Sequence, residues 1–570
     1  MLKMKGILEM KKRLVSAVLL ITLLLAVAVG CKQSPSADTG SPGQSASSPG
    51  QSANSPGQSA TGDGSSVPAT GAPPNANEKD YSEHVVISLA SVQVNESVDY
   101  NNGDEFTKWW TSKFNFSWDI TGLGWDVWSE RLRVWIYAGD MPDVVTWDYN
   151  HGEAIKYIEE GLVYRFPDDW KERWPNVAKA YADTMLGPAL EEMVGGTYVL
   201  PKPVYSTLKP TEKIVPHTTA YIRKDWAQAV GFEIKDYYTV SEIMEFARLL
   251  VEHDPGHVGS ALVPLALRPD LAWIFFVNSN STHAGGGFYK GDDGRYQWGP
   301  ASQDTLAGLK LYQQAFREGL LSPEFYAYSG EQDNYQFYIT GVAGVTMFQG
   351  MAGAMQVTAD YFKNNLNLEY DDAVHTCAII GEDGKYHSPE QINFWTAYLF
   401  SPKITQAKFE RYMDMLDFAS SPEANVFIRM GFEGIDWEYD ENGELVSLLG
   451  DQLVPQKYPS VYPCYDAMYI LANEFQLINP AYRKEFRERE IFLYETKYSL
   501  GDEKTLPAID WDVQLYSSPA KNRLSYNWAT QYAEFVLADG DIETAWRNWI
   551  NSQSYLIDPV LEEFNMNFAG

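Results

Sequence analysis

Apolar and polar positions along the chain alternate between two periods. Residues 84–90 read HVVISLA, a short β-rich run, and residues 114–120 read FNFSWDI with apolar residues at every second place, so both are predicted as strands. Residues 125–137 carry apolar side chains at helical spacing, a turn follows at Gly139-Asp140-Met141-Pro142, and Asp143-Val144-Val145-Thr146-Trp147 forms another apolar run. Strand, helix, strand, helix, strand predicts an α/β fold with a largely parallel sheet. Farther on, Ser241 is placed to cap a helix that puts Ile243, Met244, Ala247, Leu250 and Val251 on one face and ends near Asp254-Pro255-Gly256. A second such helix covers 305–318, with Leu306, Leu309, Tyr312 and Phe316 on its apolar face and Gly319 placed to end it. A last one starts near Asp541, where Ile542, Trp546, Trp549 and Ile550 make a packing stripe.

The first residues follow neither period. Lys11, Lys12 and Arg13 precede an apolar run from Leu14 to Val29, about 16 residues long, shorter than the roughly 20 a membrane-spanning helix needs. Its ending, Ala28-Val29-Gly30-Cys31, resembles a bacterial lipobox, although Ala28 stands where that pattern prefers Leu. Residues 1–30 are therefore expected to be a lipoprotein signal peptide, and Cys31 the lipid anchor. Residues 31–79 repeat SPGQSA and are dominated by Gly, Ser and Pro, which predicts a flexible tether. The remaining body, 80–570, is too long for one ordinary core, and two lobes are expected.

Charge and composition narrow the function. The chain has a net charge of −32, and removing its basic leader makes it more acidic still, which argues against nucleic acid as a partner. Beyond Cys31 only Cys377 and Cys464 remain, and nothing in the sequence brings them together. There is no Gly-x-Ser-x-Gly elbow, no phosphate-binding glycine loop and no zinc-spaced cysteine set. His253 and His257 have a zinc-like separation, but Pro255-Gly256 lies between them and a loop is expected. Gly291-Asp292-Asp293-Gly294 and Asp440-Glu441-Asn442-Gly443 lack the full oxygen set of a calcium loop and read as hairpin turns. No metal and no cofactor are expected. With 18 Trp, 36 Tyr and 26 Phe the chain is aromatic-rich, and aromatic faces suit the C–H faces of sugar rings.

Taken in order, AGDMPDVV (138–145), YIEEGLVYRF (157–166), VGGTYVLPKPV (194–204), AYIRKDWAQAVGF (220–232), FREGLLSPEFY (316–326) and TGVAGVTMFQG (340–350) resemble the extracellular solute-binding proteins related to maltose-binding protein, especially their large Gram-positive lipoprotein branch. The resemblance spans nearly all of 80–570. It implies an α/β, two-lobe periplasmic-binding-protein-like fold of type II, with hinge strands and a central cleft. Lobe 1 would comprise 80–205 and about 393–455, lobe 2 206–392 and about 456–570, with crossings near 203–211, 392–397 and 454–462. It further implies a monomeric, non-enzymatic carbohydrate receptor, for an oligosaccharide above all. Such a receptor would be lipid-anchored through Cys31 on the outer face of the cell membrane and would deliver its ligand to an ABC permease.

The resemblance places Trp147 and Asp148, at a strand's carboxyl end, as a ligand-facing pair, with a core tryptophan beside a turn-forming acid as the other reading; Trp273 resembles a second sugar platform, or packs with Ile274 and Phe275. Gln349, Met351, Trp395 and Trp528 are further ligand candidates, each open to a packing or loop reading. Arg223 could bind ligand or pair with Asp225. Two other readings stay open on sequence: a secreted glycoside-acting enzyme using paired carboxylates, and a polysaccharide-binding adhesin.

Overall fold

The computed structural model describes residues 79–570 apart from 125–126, 185, 205–217, 329–330, 389–393, 451, 462–478 and 569–570. The expected signal peptide (1–30), Cys31, nearly all of the expected tether and Cys464 lie outside the described residues, as do parts of all three expected crossings.

The chain opens with β1 (Val85–Ser91), α1 (Glu105–Phe114), β2 (Phe116–Gly122), α2 (Trp128–Ala138), β3 (Val144–Trp147) and β4 (Leu200–Pro203). It continues through β5 (Thr218–Arg223), β6 (Tyr237–Thr239), α3 (Val240–His253), β7 (Val263–Ala266), the hairpin β8 (Phe288–Lys290) and β9 (Tyr296–Trp298), α4 (Gln303–Arg317), β10 (Ala343–Gln349), α5 (Ala352–Tyr361) and β11 (Val374–Ile380). It ends with β12 (Phe394–Phe400), α6 (Gln406–Ala419), the hairpin β13 (Trp437–Tyr439) and β14 (Leu445–Ser447), α7 (Lys484–Ser499), α8 (Trp528–Leu537) and α9 (Ile542–Asn567).

Two five-stranded sheets organise these elements, in the orders β2-β1-β3-β12-β4 and β6-β11-β5-β10-β7. The first is the centre of one lobe and the second of the other. The chain therefore passes from the first sheet to the second between Pro203 and Thr218 and returns before Phe394. Val454, Tyr458 and Val461 still belong to the first lobe's core, whereas Tyr482, Phe486 and Leu493 pack in the second. The last passage thus lies after Val461.

Both sheets are mixed rather than largely parallel, and for one reason. β1 runs parallel to β2 and β3, and β10 and β11 run parallel to β7 and β6. The strands that arrive from the other lobe, β5 and β12, enter from the opposite end and pair antiparallel with both neighbours. A pattern of apolar residues does not record direction, so this reversal is invisible in the alternation.

Each sheet is buried on both faces. Along β12, Tyr398 and Phe400 face one core of the first lobe while Ala397 and Leu399 face the other. In the second lobe, Ala220 and Ile222 of β5 face one core and Tyr221 the other. This is the three-layer arrangement that near-continuous apolar strands require. A short segment joins the lobes: Val513 packs with Tyr296 and Phe564 of the second lobe, while Leu515 packs with Leu186 and Phe394 of the first.

Local signals settle several element ends. The cap of α3 is Thr239 instead of Ser241, because Glu242 falls three residues after Thr239 and the two form a reciprocal capping box. Phe114 closes α1 instead of opening β2, since Asn115 takes a left-handed conformation (φ 43°) between them. Asp541 caps α9, and Ile542 and Trp546 of its stripe are buried in the second lobe. His253 ends α3, and His257 lies in the loop after it, where Asp254 accepts the backbone N–H groups of Val258 and Gly259 at 3.0 and 2.9 Å. Both acidic glycine segments are the turns of the β8–β9 and β13–β14 hairpins.

Candidate ligand-binding site

Strands β5, β10 and β11 end around a cavity of about 420 Å³, within the range of roughly 300–1,000 Å³ usual for small-molecule sites. Thr218, Thr219 and Ala220 of β5, Met347 of β10 and Ala378 and Ile379 of β11 form its strand side. Thr218 is the first described residue after the chain enters the second lobe, and Ser388, which also lines the cavity, is the last before it leaves. These two border residues thus lie at the cavity, at the carboxyl ends of β10 and β11, where open α/β sheets gather ligands.

Trp273 supplies an aromatic face to this cavity. Its ring leans on Tyr532 with centroids 6.0 Å apart, and the Tyr532 hydroxyl donates to the Ala284 carbonyl at 2.5 Å. The loop so held contains Gly285-Gly286-Gly287. A Cβ on Gly285 would lie 3.1 Å from Trp273, and one on Gly286, whose φ is +88°, would lie 2.7 Å from Trp528. The two tryptophans therefore grip opposite neighbours in a loop that only glycine allows them to approach. Trp528 is further fixed by Tyr526 and Trp298, with centroids at 4.9 and 6.0 Å. It supports the site without appearing among the cavity-lining residues.

Polar groups complete the rim: Asn278, Ser279, Thr282, His283, Tyr386, His387 and Lys497. Burial lowers the His283 pKa to about 4, so its ring is neutral at pH 7. His387 stands between Asp383, 3.1 Å from Nε2, and Thr282, whose hydroxyl is 3.2 Å from Nδ1. This Asp–His–Thr row has the order of a nucleophilic triad, but the Thr282 hydroxyl donates to the Thr505 carbonyl at 3.0 Å, which commits its proton elsewhere. The row fixes His387 in place. None of the described lining residues is Asp or Glu, so they offer no pair of carboxylates for glycoside hydrolysis.

The structure distributes the other candidates differently. Trp147 is 1% exposed inside the first lobe, with Tyr149 and Tyr157 rings at 5.3 and 5.8 Å. Asp148 follows it at the surface; partial desolvation, then the Glu153 carboxylate, raise its pKa. Arg223, 4% exposed, pairs with Asp225 through two contacts of 2.8 and 2.5 Å and lies 4.1 Å over the Trp226 ring. Gln349 is two residues beyond Met347 on β10, and its carbonyl accepts the Tyr221 hydroxyl at 2.6 Å. Met351 is the buried N-cap residue of α5. Trp395, half-buried at the start of β12, meets Trp128 edge-on at 6.2 Å and lies under the Lys202 ammonium at 5.1 Å. Of the eight ligand candidates, Trp273 alone is among the described residues lining this cavity.

The AGDMPDVV segment proves architectural here. Gly139 (φ 68°) ends α2, and the Asp143 carboxylate accepts the Ser88 N–H, the Ser88 hydroxyl and the Lys408 ammonium, all at 2.8 Å. It ties β1, β3 and α6 together at one corner of the lobe.

Neither a protein-family model nor a curated protein matches this sequence. Solved structures do match over most of its length. The chain is 16% identical to the alginate-binding protein AlgQ2, with a TM-score of 0.60 over 84% of this chain and 96% of that one. It is 15% identical to the S. pneumoniae ABC-transporter substrate-binding protein FusA in complex with kestose, with a TM-score of 0.61 over 84% and 97%. An HMO-binding, ABC-transporter-associated solute-binding protein from Bifidobacterium longum infantis is 15% identical, with a TM-score of 0.55 over 84% and 96%. These neighbours are binding proteins, and at this identity the likeness is one of fold: the chain has the two-lobe architecture of ABC-transporter solute-binding proteins.

Proposed function

We propose that this chain is the substrate-binding lipoprotein of an ABC importer, capturing a carbohydrate, above all an oligosaccharide, and delivering it to the permease. The observation that carries this reading is the cavity at the strand ends of the second lobe, lined by Thr218 and Ser388 and built from one aromatic platform with a rim of hydroxyl, amide and imidazole groups. A sugar needs this combination: a flat apolar surface for its C–H face, and groups that satisfy each hydroxyl as donor and acceptor. FusA, of the same fold, binds kestose. The first lobe closes over the ligand as the hinges absorb the dihedral change, and the closed form is the one the permease engages.

The apolar run 14–29 and the lipobox-like ending at Cys31 support a lipid-anchored, extracellular placement, with residues 31–79 as spacer and the receptor acting as a monomer. Absence of paired carboxylates among the described lining residues favours binding over hydrolysis. The test is a thermal-shift screen of the secreted chain against plant and microbial oligosaccharides, each mixture assayed for product. A raised midpoint with intact sugar supports the receptor; hydrolysed sugar overturns it in favour of an enzyme.

A further inference from the structure

A second cavity, of about 260 Å³, lies between the β8–β9 hairpin and helix α9. It falls below the roughly 300–1,000 Å³ of a drug-sized site and so suits a single ring rather than a chain of them. One wall comes from α9, where Ile550, Ser554, Ile557, Asp558 and Leu561 recur at helical spacing and share a face. The other comes from the hairpin. Strand β9 pairs with β8 along one edge and turns its other edge to α9, where the Tyr296 N–H donates to the Asn565 side chain at 2.9 Å.

The hairpin brings aromatic surface to the cavity through Tyr289, Tyr296 and Trp298. Trp298 is fixed by Trp549, with centroids 5.6 Å apart and planes 26° apart, and Tyr296 by its hydroxyl, which donates to Asp510 at 2.7 Å. These surfaces are therefore held in place by the protein itself. Beside them stand the Gln297 amide, the Ser302 and Ser554 hydroxyls and the Asp558 carboxylate. A polyol ring uses both parts, its C–H face on the aromatic and aliphatic surface and its hydroxyls on the polar groups, whereas a wholly apolar ligand would leave the polar groups unmet. The carboxylate of Asp558 repels an anion, which points to a neutral ring.

The Tyr289 ring also stacks on His283, with centroids 4.6 Å and planes 5° apart, and His283 lines the first cavity. The stacked pair is a wall between the two spaces, and among the described residues they have no lining residue in common. The second cavity is thus a site of its own rather than a continuation of the first.

We infer that this second cavity is an accessory site for one neutral saccharide ring, separate from the cavity at the strand ends. The inference takes its ligand class from the carbohydrate reading above. The test uses the full chain with labelled isoleucine δ1-methyl groups, titrated in turn with glucose, galactose, mannose and N-acetylglucosamine and followed by NMR. Ile550 and Ile557 report on the second cavity, Ile274 and Ile379 on the first.

Saturable shifts at Ile550 and Ile557 with at least one sugar, at a Kd of about 1 to 10 mM as one ring allows, bear out the site when Ser554→Trp abolishes them by filling the space. Asp558→Asn, at an exposed position, serves if that variant does not fold, and is expected to weaken the same binding about tenfold. Shifts at Ile550 and Ile557 that persist unchanged in the variants overturn the inference, as does silence there with all four sugars. The receptor reading survives either result if Ile274 and Ile379 respond or the thermal screen finds a sugar. Silence at all four methyl groups and in the thermal screen overturns both.

Discussion

At the carboxyl end of β3 in the first lobe the chain closes over its own aromatic residue: Trp147 is sealed between Tyr149 and Tyr157. At the ends of β5, β10 and β11 in the second lobe, the sheet stops short of its covering loops and leaves a cavity beside Trp273. The two tryptophans occupy comparable places in sequence, each near a strand end, yet one is structural filling and the other a surface. What separates them is the chain that follows. After Trp147 the helix 151–159 folds back and brings Tyr157 onto the ring. After Trp273 the chain instead runs on to the triple-glycine loop, which lies close to the ring but brings no side chain to fill the space beside it.

The contrast can be broken most forcefully in the first lobe. Trp147→Ala is expected to cost about 3 to 5 kcal/mol of stability, as large core truncations do, with unchanged sugar affinity in the molecules that remain folded. Chemical denaturation with parallel titration checks this, and a variant that folds normally but loses sugar would make Trp147 the platform its position in the sequence suggests. Next, Trp273→Ala is expected to weaken sugar binding by about 1 to 3 kcal/mol while the unfolding midpoint stays near that of the parent. An unchanged affinity would remove the second lobe's claim to the ligand.

Smaller changes sharpen the same division. Gly286→Ala forces an L-residue to φ +88° and meets Trp528, and is expected to destabilise the second lobe by about 1 to 2 kcal/mol and to weaken sugar binding through the displaced loop. Proteolysis of that loop and titration read the two effects separately. Acid should act on the second lobe too. His283 and His375 both have pKa values lowered to about 4, chiefly by burial, against 6.5 when unfolded. Between those values the unfolded chain binds the proton and the folded chain does not, so the stability is intact above pH 6.5 and is lost as pH falls towards 4. With allowance for partial exposure of the rings, about 1 kcal/mol each is expected. His283→Asn should flatten part of that decline in pH-dependent melts.

The sequence made the architecture readable and the site only partly so. Strand and helix periods, the helix start near Asp541, and the ordered family-like segments led to two α/β lobes, because burial imposes those patterns directly on neighbouring residues. Strand direction was not readable: β5 and β12 look like any apolar strand until their partners are known. Trp273, expected from its likeness to a sugar platform, lines the cavity. Lys497, His283, His387 and Met347 were missed. Lys497 is a lysine on a charged helix, and only tertiary packing turns it inward beside Thr218. The Gly285-Gly286-Gly287 run was a usable signal for a close approach around His283. Arg223 shows the converse: its sequence neighbour Asp225 already offered the ion pair that the structure contains.

The proposed receptor recognises its ligand on the second lobe and completes the site by closure of the first. Hydrogen–deuterium exchange with and without the oligosaccharide giving the largest thermal shift tests it most directly. Protection is expected to concentrate at residues 273–288, 386–388 and 494–499, with a smaller, closure-dependent effect in the first lobe. Protection confined to 147–150 and β12, with the second lobe unchanged, would contradict it.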